Sequence, residues 1–208
     1  MTASMTELAH GWDYLTDRDW RVAISGQRDP FQFEQCGVMY ARAIAEVLPK
    51  RIDTKILEIG PGCGRIMKYL SSMCEEIHGV DVSPKMVDLS KKYLENFPNA
   101  EVHLIEDESL DLFEDDTFDF AYAIGCFIHC EPEMTFKYLE SLKRVMRPGS
   151  LVYCDMHALE SSADATTLAV RSNRVVETTP AEVVRMGDMF SHADIRTVRS
   201  RYVCKFTV

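Results

Sequence analysis

A glycine-rich turn after a short apolar run constrains the fold of this 208-residue chain more than any other feature. The run Lys55–Gly60 (KILEIG) predicts a strand, and glycines recur at every second position, at Gly60, Gly62 and Gly64. Because glycine has no Cβ atom, such a turn can be tight and can bring its backbone close to a ligand. A helix that begins after the turn points free N–H groups at an anionic group. The sequence therefore predicts a ligand-binding strand–turn–helix unit.

Strand-like and helix-like segments alternate after this turn. Further strands are predicted at four places: Glu76–Val82, Glu101–Glu106, Phe118–Ile124 and Ser150–Met156. Ser83 and Pro84 form a good helix start, and the amphipathic stretch Glu133–Met146 predicts another helix, stopped by Pro148 and Gly149. Strands separated by helices of this length indicate βαβ units and a mostly parallel sheet.

We therefore expect one α/β domain over residues 1–208. Its sheet is predicted to be doubly wound and Rossmann-like, mostly parallel with an antiparallel last strand, and with helices on both faces. Residues 1–50 are predicted to form an N-terminal helical cap or lid, and residues 51–156 the ligand-binding core. Residues 157–179 are interpreted as an insertion that serves as a substrate lid, and residues 180–208 as a C-terminal helix and strands.

Composition and charge exclude several classes of protein. The chain is 46% hydrophobic and 27% charged, as in an ordinary globular protein. It has no apolar run of about 20 residues and no basic, apolar leader, so we expect no membrane partner and a cytoplasmic location. The net charge is −10 and no stripe of Lys and Arg occurs, which predicts no nucleic-acid partner. A monomer or homodimer is expected.

Cysteine and histidine positions give little support for a metal site. Seven cysteines without any C-x-x-C pair favour reduced thiols over a disulfide framework. Cys126, His129 and Cys130 lie close in sequence, with Glu131 and Glu133 beyond them, but zinc sites normally show a second ligand pair. The sequence therefore predicts no metal.

The glycine spacing separates this turn from a dinucleotide-binding turn. That motif, G-x-G-x-x-G, would require glycine at position 65, where this chain has Arg65. The spacing E-x-G-x-G-x-G, from Glu58 to Gly64, resembles the first motif of the class I S-adenosylmethionine (SAM)-dependent methyltransferases. Asp81 after the second strand, Asp107 with the stretch LDLFEDDTFDFAYAIG, and the segment LKRVMRPGSLVYCDM resemble that family's further motifs. The resemblance is to the small-molecule type (methyltransferase types 11 and 25).

The resemblance implies that SAM is the cofactor and methyl donor. It implies that the glycine turn contacts the methionine and ribose parts of SAM, and that a carboxylate binds the ribose hydroxyls. It also implies that two acidic residues contact the adenine edge and that the loop after the fourth strand contacts the sulfonium. The residues are Glu58, Gly60, Gly62, Gly64, Asp81, Val82, Met86, Asp107, Glu108, Gly125 and Cys126.

The acceptor side of the site is less defined by the sequence. Methyl transfer from SAM, which leaves S-adenosylhomocysteine, depends mainly on alignment and exclusion of water. His129 is a candidate base because the ordinary pKa of histidine lies near neutral pH, although a packing role is an equal alternative. Candidate substrate contacts are Tyr14, Phe31, Phe127 and His157. The chain lacks the Asn/Asp-Pro-Pro-Tyr sequence of many amino-group methyltransferases, so a small metabolite or natural-product acceptor is predicted, methylated at oxygen, nitrogen or carbon.

Two other functions remain as alternatives. The first is a non-catalytic member of the fold that binds SAM or acts as a scaffold. The second is an NAD(P)-dependent oxidoreductase, which shares the fold logic and the acidic residue after the second strand. Arg65 and the lack of a Tyr-x-x-x-Lys pair argue against the oxidoreductase.

Overall fold

The computed structural model describes residues 4–159 and 175–208, which form two compact units. The first unit contains residues 4–107 and 118–120, and the second contains residues 108–117, 121–159 and 175–208. Strand β4, Phe118–Ala123, begins in the first unit and ends in the second.

Two helices precede the first strand, as the sequence predicted. Helix α1 spans Met5–Ser25 and begins with a capping box between Ser4 and Glu7. Helix α2 spans Pro30–Ala45, and the Asp29 side chain accepts a hydrogen bond from the N–H of Gln32 at its start. Proline at the first helical position is favoured there because its missing N–H would have no partner within the helix.

The strand order in the first unit is β3-β2-β1-β4, and β2 runs parallel to both β1 and β3. They are β1 Lys55–Ile59, β2 Glu76–Asp81 and β3 Ala100–Leu104, followed by the start of β4. Ile59 pairs with Val80, and Asp81 pairs with Leu104. Helix α3 (Met67–Leu70) and a 3₁₀ turn connect β1 to β2, while helix α4 (Pro84–Tyr93) connects β2 to β3.

The second unit contains an antiparallel region. Its elements are a 3₁₀ turn Phe127–His129, α5 Pro132–Val145, β5 Met146–Ala158, β6 Glu177–Thr178, α6 Pro180–Gly187, β7 His192–Val198 and β8 Arg201–Thr207. The strand order is β4-β5-β8-β7, with β6 parallel to β5. The last strand, β8, is antiparallel to both of its neighbours, β5 and β7.

The predicted Rossmann-like α/β fold is confirmed, with a mostly parallel sheet, flanking helices and an antiparallel last strand. None of the described helices is long and apolar enough to cross a membrane. The predicted insertion and substrate lid at residues 157–179 lies mostly outside the described residues.

Two local predictions were wrong. Pro148 and Gly149 do not stop α5, because the backbone is already extended at Met146 and both residues lie inside β5. A proline also biases the residue before it towards extended backbone, which suits a strand. The helix predicted after the glycine turn is reduced to the four residues of α3 and the 3₁₀ turn Ser71–Met73.

Candidate functional site

The glycine turn after β1 uses a backbone conformation that favours glycine. Gly60, Gly62 and Gly64 have φ angles of 69°, 58° and 81°. A Cβ atom on Gly64 would lie 2.5 Å from Cδ1 of the buried Leu94, so even alanine would clash there. The N–H of Gly60 donates a hydrogen bond to the carbonyl oxygen of Val80 at 2.9 Å, which ties the turn to β2.

A buried carboxylate at the end of β2 holds the same turn. The Oδ2 atom of Asp81 accepts a hydrogen bond from the N–H of Gly62 at 3.0 Å, and Oδ1 accepts one from the N–H of Ser83 at 2.9 Å. Burial raises the pKa of Asp81 to about 6, although these backbone hydrogen bonds act to lower it. Since a carboxylate oxygen can accept more than one hydrogen bond, Asp81 retains acceptor capacity for a ligand.

Helix α1 lies against the turn and the start of α4. The Oδ1 atom of Asp13 accepts hydrogen bonds from the Ser83 hydroxyl at 2.6 Å and from the N–H of Lys85 at 3.2 Å. The Ile24 side chain is so close to Gly62 that a Cβ atom there would be 3.2 Å from Ile24 Cδ1. Asp13 in the middle of α1 and Ile24 near its end therefore contact the elements that carry the glycine turn and Asp81.

A cluster of polar side chains that sequence reasoning missed holds α2 to α3 and α4. The Glu34 carboxylate accepts hydrogen bonds from Lys68 Nζ at 3.0 Å, from the Tyr93 hydroxyl at 2.5 Å and from the Tyr69 hydroxyl. Burial acts to raise the pKa of Glu34, but these hydrogen bonds outweigh it and hold the pKa below its ordinary value. No local sequence pattern indicates this cluster, because Glu34 and its partners are 34 to 59 residues apart in the chain.

Arg65, the residue that excludes a dinucleotide turn, is buried beneath α2. Its guanidinium lies 5.3 Å from the ring centroid of Phe33 and 5.7 Å from that of Tyr40. A Cβ atom on Gly37 would be 2.8 Å from Arg65 Cγ, so α2 approaches this side chain closely. The long side chain at position 65 therefore packs against α2.

The other predicted cofactor residues of the first unit lie near these elements in sequence. Glu58 is buried in β1, and Met86 is buried in α4 with its sulfur 3.8 Å from the Cβ position of Gly62. Val82 is half-buried between Asp81 and α4. Asp107 is exposed in the segment that follows β3. Their roles in binding a cofactor stay predictions.

In the second unit, an unforeseen carboxylate fixes the loop after β4. The N–H of Gly125 donates a hydrogen bond to Oδ1 of Asp155 at 2.7 Å, and Arg201 of β8 forms an ion pair with the same carboxylate. Asp155 is buried in β5, so an acidic residue between the apolar Cys154 and Met156 was the available signal. Glu108 and Cys126, both half-buried, lie in this unit as well.

The candidate base lies at the end of a short turn. His129 is half-buried, and its backbone N–H donates a hydrogen bond to the carbonyl oxygen of Cys126 at 2.9 Å. Phe127, a predicted substrate contact, is instead fully buried, with its ring centroid 5.9 Å from that of Tyr138. The N–H of Val176 donates to the carbonyl oxygen of Ile128 at 2.8 Å, so the chain that follows residues 160–174 is anchored beside this turn.

The remaining substrate candidates occupy different environments. Tyr14 on α1 and Phe31 on α2 are 60% and 70% exposed. Phe31 is exposed because the buried face of α2 is formed by Phe33 and the residues one turn apart from it. Neither is enclosed in a pocket. His157 is half-buried in β5, and its Nδ1 atom has no hydrogen-bond partner among the described residues. Acceptor contacts by these residues stay predictions.

Comparison with known proteins places this geometry in context. Residues 56–149 match the family model of a methyltransferase domain. The chain is 30% identical over 155 residues to the tRNA N(3)-methylcytidine methyltransferase trm140 of Schizosaccharomyces pombe, covering 66% of this chain and 49% of that protein. It is 25% identical over 117 residues to a demethylmenaquinone methyltransferase of Tropheryma whipplei, covering 56% of this chain and 47% of that protein. The chain thus spans about half the length of these curated relatives.

Solved structures share the same fold. The crystal structure of a SAM-dependent methyltransferase from Aquifex aeolicus aligns with a TM-score of 0.64 at 20% identity, covering 90% of this chain and 98% of that chain.

Proposed function

Because the chain belongs to the class I SAM-dependent methyltransferases and its cofactor is S-adenosylmethionine, we propose that it transfers a methyl group to a small-molecule acceptor. S-adenosylmethionine supplies, when bound, a methyl group on a positively charged sulfur. What this chain must add is a binding site, an orientation and protection from water.

The residues of the first unit fit this cofactor. The glycine turn keeps Cβ atoms away from a ligand that follows its backbone, and its left-handed φ angles are held by hydrogen bonds to Val80 and Asp81. Asp81 offers acceptors for the two ribose hydroxyls, as carboxylates at this position do in nucleotide-binding folds. By sequence match, we extend the proposed contacts in this unit to Glu58, Val82, Met86 and Asp107.

One observation carries the choice of a small acceptor: α1 contacts both Gly62 and Ser83. A helix in that position supports a donor site that is covered from solvent, which suits a small acceptor better than a folded nucleic acid. The net charge of −10 also opposes binding to a phosphate backbone. Demethylmenaquinone, the substrate in the name of the Tropheryma relative, is an example of the acceptor class.

We propose His129 as the group that takes the acceptor proton. It follows the loop at Gly125, which the Asp155 carboxylate holds in place. His129→Ala should then lower turnover more than it lowers affinity for S-adenosylhomocysteine.

A tRNA base is the second candidate acceptor. It is favoured by the 30% identity to the Schizosaccharomyces tRNA methyltransferase, which extends over 155 residues. The two candidates differ in the size and charge of the acceptor, so they can be separated by one assay.

The test supplies SAM with a radioactive methyl group to purified protein together with either a protein-free small-molecule extract of cells or total tRNA. We expect label in the small-molecule fraction, resistant to ribonuclease, and none in tRNA. Label in tRNA that ribonuclease releases would overturn the small-acceptor proposal. Binding of S-adenosylhomocysteine without transfer to either fraction would instead favour a non-catalytic role. Asp81→Ala serves as the control for transfer that depends on the donor site.

A further inference from the structure

Four polar side chains lie on one face of two neighbouring strands, away from the proposed donor site. Glu76 and His78 belong to β2, and Glu101 and His103 belong to β3. In the parallel register His78 is opposite Glu101, and each pair is two residues apart in its own strand. Since side chains alternate between faces along a strand, all four share one face of the sheet.

The two imidazole rings meet through one nitrogen each. Nδ1 of His78 lies 3.0 Å from Nε2 of His103, and the rings are stacked at an interplanar angle of 19°. The other nitrogen of His78, Nε2, faces the Glu76 carboxylate at 3.5 Å. The other nitrogen of His103, Nδ1, faces Glu101 at 3.9 Å.

Nδ1 of His78 and Nε2 of His103 face each other at hydrogen-bond distance. A carboxylate beside one imidazole nitrogen favours the proton on that nitrogen and leaves the opposite nitrogen as an electron-pair donor, the usual arrangement of metal-bound histidine. Glu76 has this relationship to His78. Two imidazole nitrogens on one tetrahedral zinc ion, each at about 2.0–2.1 Å from it, lie about 3.3 Å apart. The 3.0 Å separation here is within a few tenths of an ångström of that value.

We propose that His78, His103 and Glu101 bind a divalent transition-metal ion, with zinc as the ion of choice. One ligand atom from each of these residues lies within 4.8 Å of the other two. Two imidazoles and a carboxylate, with water in the fourth position, form a common zinc environment. The side chain of Glu101 is 69% exposed, so it can turn towards the ion, and Glu76 orients His78.

The site is separate from the proposed donor site. Asp81 lies three residues beyond His78 on β2, and this odd spacing places the two side chains on opposite faces of the sheet. The ion would link β2 to β3, whose carboxyl ends carry Asp81 and lead towards Asp107. It would therefore stabilise the first unit without contacting the methyl donor.

Zinc binding to the tag-free, metal-stripped full chain tests this proposal. Calorimetry should show about one equivalent of bound Zn²⁺, and thermal unfolding should move to higher temperature with ZnCl₂ but not with MgCl₂. His103→Gln and His78→Gln should each abolish the shift. His192→Gln, at an exposed position of β7 outside the cluster, is the matched control and should retain it.

Two further measurements keep the outcome clear if a histidine variant folds poorly. Glu76→Gln should weaken Zn²⁺ binding about 10–100-fold, as loss of a residue that orients a ligand does. Co²⁺ bound to the unaltered chain should give the visible bands of nitrogen and oxygen coordination without thiolate charge transfer. Absence of Zn²⁺ binding would overturn the site in favour of a neutral histidine–histidine hydrogen bond. Thiolate charge transfer, or an unchanged shift in both histidine variants, would overturn it in favour of metal binding elsewhere in the chain.

Discussion

The carboxylate of Asp81, at the end of β2, accepts a hydrogen bond from the backbone N–H of Gly62, in the turn that follows β1, at 3.0 Å. A single buried side chain thus fixes the conformation of the turn. The same carboxylate is the proposed acceptor for the ribose hydroxyls of the cofactor. The shape of the turn and the affinity for the cofactor should therefore depend on the protonation of one group.

The affinity for S-adenosylhomocysteine should increase as the pH rises through about 6. Burial raises the pKa of Asp81 to about 6, and the ionised form has more acceptor capacity for ribose hydroxyls than the protonated form. Calorimetry between pH 5 and pH 7.5 checks this. In Asp81→Asn the affinity should be weak and nearly independent of pH, and a parallel pH dependence in that variant would assign the titration to another group.

The same pKa has the opposite consequence for stability. The pKa of Asp81 is higher in the folded chain than its ordinary value of 3.8, so folding favours the protonated form. Its contribution to the free energy of unfolding is fully present below pH 3.8 and is lost as the pH rises through about 6. Unfolding in urea across this pH range measures how the free energy of unfolding changes with pH. Asp81→Asn is the reference, and the two proteins should differ in this pH dependence.

Glu34→Gln should destabilise the docking of α2 at neutral pH. The hydrogen bonds from Tyr69, Tyr93 and Lys68 hold the pKa of Glu34 below its ordinary value, against the effect of burial. The contribution of Glu34 is therefore present above the ordinary carboxyl pKa and is lost as the pH falls through the folded pKa. At pH 7 the unaltered chain should unfold at a higher temperature than the variant. This difference in unfolding temperature should decrease in acid. Glu46→Gln, exposed after α2, is the control and should have little effect.

Gly64→Ala should cost more stability than Gly26→Ala. Both glycines have positive φ, at 81° and 72°, so alanine at either position carries strain of about 1–2 kcal/mol. A Cβ atom on Gly26 meets nothing within 4 Å, whereas on Gly64 it would overlap the buried Leu94. The overlap should add about 1–3 kcal/mol. Equal free energies of unfolding for the two variants would show that Leu94 moves aside freely.

Asp155→Ala should destabilise the second unit, whereas Asp155→Asn should retain part of the lost stability. Alanine removes the acceptor of the Gly125 N–H and the partner of Arg201, at a cost of about 1–3 kcal/mol. Asparagine keeps an acceptor for Gly125 and loses only the ion pair. Thermal unfolding should show a fall of about 2–4 °C for each kcal/mol. Identical falls in both variants would assign the effect to the ion pair alone.

Local sequence patterns predicted the fold well where they are strong. Ser83 and Pro84 begin α4 because capping depends on adjacent residues, and the strands at 55–59 and 118–123 follow from apolar runs. The prediction failed at Pro148 and Gly149, because a partner distant in sequence holds this segment in extended form. The N–H of Gly149 donates to the carbonyl oxygen of Val208, the residue that follows β8.

The missed parts of the sites all depend on register between distant strands or helices. His78 and His103 are 25 residues apart and meet only because β2 and β3 pair as they do. Glu34 finds its partners through the docking of α2, and no periodicity in the sequence specifies that docking. The glycine turn and Asp81 were predictable because their spacing lies within one strand–turn–helix–strand unit.

The proposed donor site is tested most directly by calorimetry of S-adenosylhomocysteine binding, at pH 7.5, to the unaltered chain and to Asp81→Ala. We expect saturable binding of about one equivalent by the unaltered chain. The variant, shown to be folded by circular dichroism, should lose about 1–3 kcal/mol of binding free energy, equivalent to roughly 5–150-fold in affinity. No binding by the unaltered chain, or equal affinity in a folded Asp81→Ala, would contradict the proposed donor site.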